Sequence, residues 1–147
     1  MKLAIGSDDA GFGLKQAIKQ HLEDLGYPVA DFGVQAEEAV IYPDIAFRVG
    51  QSIVNGENER GILICGTGIG MSISANKVKG IRAAQAHDTY SAERAQKSNN
   101  AQVLCLGARV VGTELAKSIV DAWLASHFED GPSSKKVQRI IDFEQDK

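Results

Sequence analysis

The chain has 147 residues, of which 44% are hydrophobic and 24% charged, with a formal net charge of -3 and a pI near 5.6. This composition fits one soluble domain, residues 1–147, large enough to bury a core. The acidity argues against nucleic acid as a main partner but leaves phosphorylated small molecules open, because a local site can be positive on an acidic protein. Two cysteines, Cys65 and Cys105, make neither a disulfide framework nor a paired-cysteine metal site. The opening Met1-Lys2-Leu3-Ala4-Ile5-Gly6 is too short an apolar run for a signal peptide, and no stretch is apolar for long enough to span a bilayer. The expected location is the cytoplasm, with no membrane partner.

In chain order, Lys2 to Gly6 reads as a buried strand, and Ser7-Asp8-Asp9-Ala10-Gly11 as a turn rich in capping residues. Phe12, Leu14, Ile18, His21, Leu22 and Leu25 recur at helical spacing, and Gly26 is a stop signal. Val29 to Gly33 reads as a second strand. Tyr42-Pro43-Asp44 opens a helix with Ile45, Val49 and Ile53 on its apolar face, ended by Asn55-Gly56. Gly61 to Ile64 is a third strand, and a short helix opens at Ser72. Ile81 to Ala86 reads as a fourth strand, Tyr90 to Lys97 as a helix, Ser98-Asn99-Asn100 as a turn and Gln102 to Gly107 as a fifth strand. Thr113 to Ser126 is a long helix with Leu115, Ile119, Ala122 and Trp123 on one face, and a last helix covers about 133–145. Short apolar strands alternating with helices specify an α/β fold with a five-stranded parallel sheet covered on both faces. Ligands in such folds sit outside the carboxyl ends of the strands. Asp8, Cys65 and Asn99 are expected near those ends.

The most informative segment runs from Ile62 to Met71: an apolar strand ends in Cys65, and Gly66-Thr67-Gly68-Ile69-Gly70 follows at once. A strand, a glycine loop and a helix N-terminus gather unpaired N–H groups into an anion cradle. A thiol at the strand's edge shares that positive field, which favours thiolate. The segment thus offers a polarised nucleophile or base beside an oxyanion site. The glycine spacing does not fit the dinucleotide fingerprint and lacks the lysine of a P-loop. Cys105 reads as an ordinary buried cysteine.

Other residues carry weaker signals. Asp8 and Asp9 follow the first strand, where aspartate caps a helix or accepts from a hydroxyl. His87 follows the fourth strand and is a candidate acid–base group, although a lone histidine is more often structural. Arg109 follows the fifth strand, where a cation can meet a phosphate. Lys135, Lys136 and Arg139 form a basic segment on the last helix.

Gly6-Ser7-Asp8 with Ala10-Gly11, Tyr42-Pro43-Asp44, Ile64 to Gly70, Ser74-Ala75-Asn76-Lys77 with Gly80-Ile81-Arg82-Ala83, and Leu106 to Gly112 together resemble the ribose-5-phosphate isomerase B / galactose-6-phosphate isomerase family over nearly the whole chain. The resemblance implies a Rossmann-like three-layer α/β/α sandwich and an aldose–ketose isomerase of phosphosugars, working without metal or organic cofactor. It implies a homodimer, sometimes paired into a tetramer, with sites at the interface and the last helix packed on the partner subunit. It assigns Cys65 as the base that moves a proton between C1 and C2, with Thr67 as a second catalytic residue. It assigns the loop of Gly66, Thr67, Gly68, Ile69 and Gly70 to the enediolate oxygen, Asp8, Tyr42, Thr67 and Asn99 to the sugar site, and Arg109 to phosphate. Such chemistry needs a base beside the carbon acid and donors aimed where charge develops.

The departures bear on substrate. The pattern's usual Asp-His is Asp8-Asp9 here, Ser98 stands where a ring-opening histidine belongs, Pro132 replaces one phosphate-binding arginine and Lys136 another. A tetrose 4-phosphate cannot close an ordinary five- or six-membered ring, because phosphate blocks O4, so it needs no ring-opening acid. The run His87 to Arg94 with Ser98 to Gln102 resembles the erythritol-pathway branch, which interconverts D-erythrulose 4-phosphate and D-erythrose 4-phosphate. That pair is the expected substrate. The alternatives are a ribose-5-phosphate isomerase that uses His87 for ring opening, and a non-catalytic phosphosugar-binding protein.

Overall fold

A computed structural model describes residues 1–36 and 39–146. The elements are β1 (Leu3–Ser7), α1 (Phe12–Asp24), β2 (Val29–Asp31), α2 (Tyr42–Val54), β3 (Arg60–Cys65), α3 (Ile69–Ala75), β4 (Ala83–Gln85), α4 (Thr89–Lys97), β5 (Val103–Gly107), α5 (Thr113–Leu124) and α6 (Ser134–Gln145). The five strands form one parallel sheet in the order β2-β1-β3-β5-β4. The inner strands β1, β3 and β5 are buried at every position, which is why they read as unbroken apolar runs.

Alternate residues of each inner strand face opposite layers. Leu3, Ile5, Ile62, Ile64, Leu104 and Leu106 pack with Ile18, Leu22, Ala92, Ile119 and Trp123, so α1, α4 and α5 cover one face. Ala4, Leu63, Cys65, Val103 and Cys105 pack with Ile45, Val49, Met71 and Ala75 under α2 and α3. The three-layer sandwich is as expected, and both cysteines lie on the α2/α3 side. Arg60, at the amino end of β3, stitches the layers together. Its guanidinium donates to the Trp123 and Ser126 carbonyls at 2.8 Å each, satisfying the open end of α5.

Several boundaries differ from the sequence reading. Leu25 falls on the C-cap of α1 and is 56% exposed. The helix instead buries Lys15, whose Nζ donates to both Asp31 carboxylate oxygens at 2.9 and 2.8 Å and to the Val34 carbonyl. A charge can occupy that core-facing position because its counterion and a carbonyl meet it there. Helix α5 buries Ala116 and Val120 rather than Leu115, which is 47% exposed. Strands β2 and β4 are each only three residues long. The outer edge of β4 is closed by the Asn76 side chain, which accepts from the Ala83 N–H and donates to its carbonyl, both at 2.9 Å, as a neighbouring strand would.

The last helix, α6, lies across the amino-terminal edge of the sheet. The Glu144 carboxylate accepts from the Gly80 N–H at 2.9 Å, in the connection leading up to β4. Val137 is its buried residue, while Ile140 and Phe143 are about half exposed.

The Lys15–Asp31 pair makes stability pH-dependent. Burial pushes the Asp31 carboxyl up, but the Lys15 ammonium and the Gly33 N–H outweigh it and hold the group below its ordinary 3.8. A carboxylate depressed in the folded state stabilises fully above its unfolded value, and the contribution fades as pH falls below about 4. Urea unfolding of Asp31→Asn at pH 7 should show a loss of about 3 kcal/mol, and below pH 4 the variant's stability should fall less steeply than that of the wild type.

Candidate active site

The sheet places its carboxyl ends at one edge, and β1 and β3 are adjacent there although their connections depart in opposite directions. That switch point opens a crevice. Cys65 closes β3, and Asp8 follows β1, with its N–H bonded to the Ile64 carbonyl at 3.2 Å.

Helix α3 begins at Ile69, three residues earlier than expected at Ser72. The cause is Gly68, whose φ of +78° turns the chain immediately. A Cβ there would also stand 3.0 Å from the Leu106 backbone, so only glycine lets the loop fold down onto β5. This turn aims the Gly68 N–H at Cys65 Sγ, 3.1 Å away. Thr67 Oγ1 accepts from the Ile69 N–H at 3.2 Å. The N–H groups of Gly70 and Met71 belong to the first turn of α3 and have no helical carbonyl to bond. Gly70 therefore serves in the helix rather than in the loop. A side chain on it would strike the Tyr42 ring, with 2.6 Å to Cε1, so Tyr42, the first residue of α2, lies directly over the loop.

Arg109 reaches the same crevice. Its guanidinium would stand 3.1 Å from a Cβ on Gly66, and its own N–H bonds the Gly66 carbonyl at 3.0 Å. Asp8 Oδ1 accepts the Gly11 N–H at 2.9 Å. Burial pushes the Asp8 carboxyl above its ordinary range and Asp9 adds to this, against the Gly11 and Ala10 N–H groups and the charge of Arg109. Asp9 is exposed beside it. One edge of the chain thus assembles Cys65, the residues from Gly66 to Gly70, Asp8, Asp9, Tyr42 and Arg109.

Two expected members are elsewhere. Helix α4 starts at the carboxyl end of β4 and runs back, so Asn99 lies at the opposite, amino-terminal edge of the sheet. Arg82, just before β4, donates to the neighbouring Asn100 carbonyl at 3.0 Å. The expectation that Asn99 sits near the carboxyl ends is therefore corrected: the turn precedes β5 and does not follow a strand. Lys136 is exposed on α6 at that same far edge. Ser98 Oγ accepts from Arg94 Nε at 2.8 Å there.

His87 sits at the near edge, and its Nε2 accepts the Gly107 N–H at 2.9 Å. That bond fixes the neutral tautomer with the proton on Nδ1. The sequence reading missed Gln85, whose Nε2 donates to the Thr67 carbonyl at 2.7 Å. Its signal was a single amide near the end of the strand read over Ile81 to Ala86. Among the described residues, no group of three or more His, Cys, Asp or Glu could hold a metal ion, and no helix is long and apolar enough to cross a membrane. Burial pushes the Cys105 thiol well up, with a further rise from Cys65, so Cys105 stays protonated and inert.

The family model described as Ribose/Galactose Isomerase matches residues 3–140. D-erythrulose-4-phosphate isomerase of Pectobacterium atrosepticum is 55% identical, over 95% of this chain and 93% of that protein. Ribose-5-P isomerase B of Listeria innocua is 50% identical, over 99% and 98%. The solved structure of Clostridium thermocellum ribose-5-phosphate isomerase B superposes with a TM-score of 0.97 at 46% identity, covering 99% of both chains. The chain belongs to the ribose/galactose isomerase family. It is an aldose–ketose isomerase of sugar phosphates, which sets aside the non-catalytic alternative.

The contact between Gly70 and Tyr42 gives a direct check on the site. Gly70→Ala should displace the ring and lower kcat/KM for sugar-phosphate isomerisation by about 10- to 100-fold. Gly112→Ala, at a position with nothing within 4 Å of an added Cβ, should leave it unchanged.

Proposed function

We propose that this enzyme interconverts D-erythrulose 4-phosphate and D-erythrose 4-phosphate, with Cys65 as the base. The observation that carries the reading is the Gly68 N–H directed at Cys65 Sγ from 3.1 Å, within a loop of backbone donors. The Cys65 thiolate takes a proton from C1 of the ketose. Negative charge develops on O2 as the enediolate forms, where the N–H groups between Gly66 and Gly70 receive it, and the O1 hydroxyl proton passes to O2, which moves the charge to O1. The thiol returns the proton to C2 and the aldose forms. Thr67 steadies the loop, Asp8 accepts from a sugar hydroxyl, Tyr42 and Asp9 line the crevice, and Arg109 meets the phosphate. Every step uses the protein's own groups, without metal or organic cofactor.

Ser98 supports the tetrose. Its hydroxyl is engaged by Arg94, and an alcohol does not exchange protons readily near pH 7, so no ring-opening acid stands at this position. The Pectobacterium relative, whose name specifies that tetrose phosphate, agrees. The Listeria relative favours a second reading, ribose 5-phosphate as substrate, in which His87 would give up its bond to Gly107 in order to open the ring.

The active unit in this account is a homodimer of single-domain chains, with pairing into a tetramer open. Asn99, Ser98 and Lys136 lie at the edge of the sheet opposite Cys65, so they reach a Cys65 site only from a second copy. Two concavities of the single chain, about 570 and 410 Å³, are lined by Asp31, Ile41 and Arg48 and by Lys77, Ile140 and Phe143, and neither borders Cys65. Packing of α6 on the partner would cover Ile140 and Phe143 and deliver Lys136 to the phosphate.

Side-by-side assays decide the substrate. kcat/KM should be high for D-erythrulose 4-phosphate and at least about tenfold lower for D-ribose 5-phosphate, with Cys65→Ala reducing both by about 10²- to 10⁴-fold. The reverse preference would assign the ribose reading. The shared site has its own check. Cys65→Ala mixed with an Asn99→Ala/Lys136→Ala variant, after subunit exchange, should regain about a quarter of wild-type activity, because half of the sites in each mixed dimer are intact. No recovery despite exchange would mean that each chain completes its own site.

A further inference from the structure

Gln85 is a polar residue in the outermost strand β4, in register with Cys105 on β5, and its side chain is exposed. Nothing in packing demands an amide there. Its Nε2 crosses to the glycine loop and donates to the Thr67 carbonyl at 2.7 Å. In a trans peptide the carbonyl and the following N–H point in opposite directions. The Thr67 carbonyl and the Gly68 N–H belong to the same peptide unit. Holding the carbonyl toward β4 therefore turns the N–H toward Cys65 Sγ, where it makes its 3.1 Å bond.

This peptide needs such a restraint. It is followed by Gly68, with φ at +78°, and glycine tolerates the other φ values that a rotation of the peptide plane would require. Rotation would break both hydrogen bonds together. A carbonyl that accepts a hydrogen bond also polarises its own amide and strengthens the N–H as a donor. The Gln85 bond thus fixes the direction of the Gly68 N–H and increases its pull on the sulfur.

We infer that Gln85 is a positioning residue for Cys65, acting through the Thr67–Gly68 peptide to hold the Gly68 N–H on the thiolate. For the reaction it rests on the reading of Cys65 as base; its effect on the thiol does not. Gln85 touches neither the reacting atoms nor the sulfur, and the β4 backbone does not need its side chain. An amide at this position ties the outer strand to the reacting group two strands away.

The test compares the full-length wild type with Gln85→Met, which keeps the length but loses the donor, and Gln85→Glu, which donates only when protonated. The primary readout is the pH dependence of Cys65 alkylation by iodoacetamide, located by mass spectrometry. Cys105 is fully buried and unreactive, and its labelling would report unfolding. Loss of the donor should raise the alkylation midpoint of Gln85→Met by roughly half to one pH unit and lower kcat about three- to tenfold, with KM within about twofold. Gln85→Glu, ionised throughout the alkylation range and so without a donor, should raise the midpoint at least as far as Gln85→Met. An unchanged midpoint in Gln85→Met overturns the proposal, even if kcat falls, because a merely structural clamp would leave the thiol untouched. If instead Cys65→Ala keeps full activity, the base reading fails, while the alkylation midpoint still decides whether Gln85 governs the thiol.

Discussion

The site depends on one turn. Gly68 adopts a φ that other residues resist and lies so close to Leu106 that a Cβ would collide with the backbone. This lets the chain leaving β3 fold back over the end of β5 and begin a helix after only three residues. Three consequences follow. The Gly68 N–H faces the Cys65 sulfur, the first turn of α3 presents its remaining N–H groups to the same crevice, and Gly70 comes under the Tyr42 ring. The neighbouring strand is built to receive the turn. Gly107 admits the Thr67 backbone at a distance of 2.8 Å from where its Cβ would be, and its N–H is held by His87. The glycines of this region are therefore contact residues as much as hinges.

The direction of the strands supplies the second constraint. In a parallel sheet every helix returns the chain to the amino-terminal edge, so residues that end a helix cannot share an edge with residues that end a strand. Cys65, Asp8 and Arg109 end strands, whereas Asn99 ends α4 and Lys136 sits on α6, which lies across the amino-terminal edge. The distance between these groups within one chain is a property of the topology. It gives a physical reason for two copies in the proposed active unit, and the half-exposed Ile140 and Phe143 of α6 give such a pairing apolar surface to cover.

Much of this was legible in the sequence because the period of hydrophobicity carries it. The inner strands and the helices α2 and α5 announce themselves as apolar runs and stripes, and the order Ile62 to Met71 states a strand, a thiol and a glycine loop in plain succession. What escaped were long-range compensations. Lys15 looks like a surface residue until Asp31 and the Val34 carbonyl, both distant in sequence, meet its ammonium. Leu25 fits the helical period but falls beyond the end of α1. Asn99 was placed at the wrong edge because a turn before a strand and a turn after one look alike in sequence. Gln85 drew no notice because its partner is a carbonyl, and carbonyl positions are invisible in a list of side chains.

In the proposed reaction Cys65 moves a proton between adjacent carbons while the loop holds the enediolate. The most direct measurement follows the hydrogens of D-erythrulose 4-phosphate by NMR in deuterated buffer over many turnovers. One C1 hydrogen should exchange with solvent deuterium, deuterium should enter C2 of the aldose, and both should stop in Cys65→Ala. Isomerisation with no exchange, as hydride migration requires, or exchange that continues at the wild-type rate without Cys65, would contradict it.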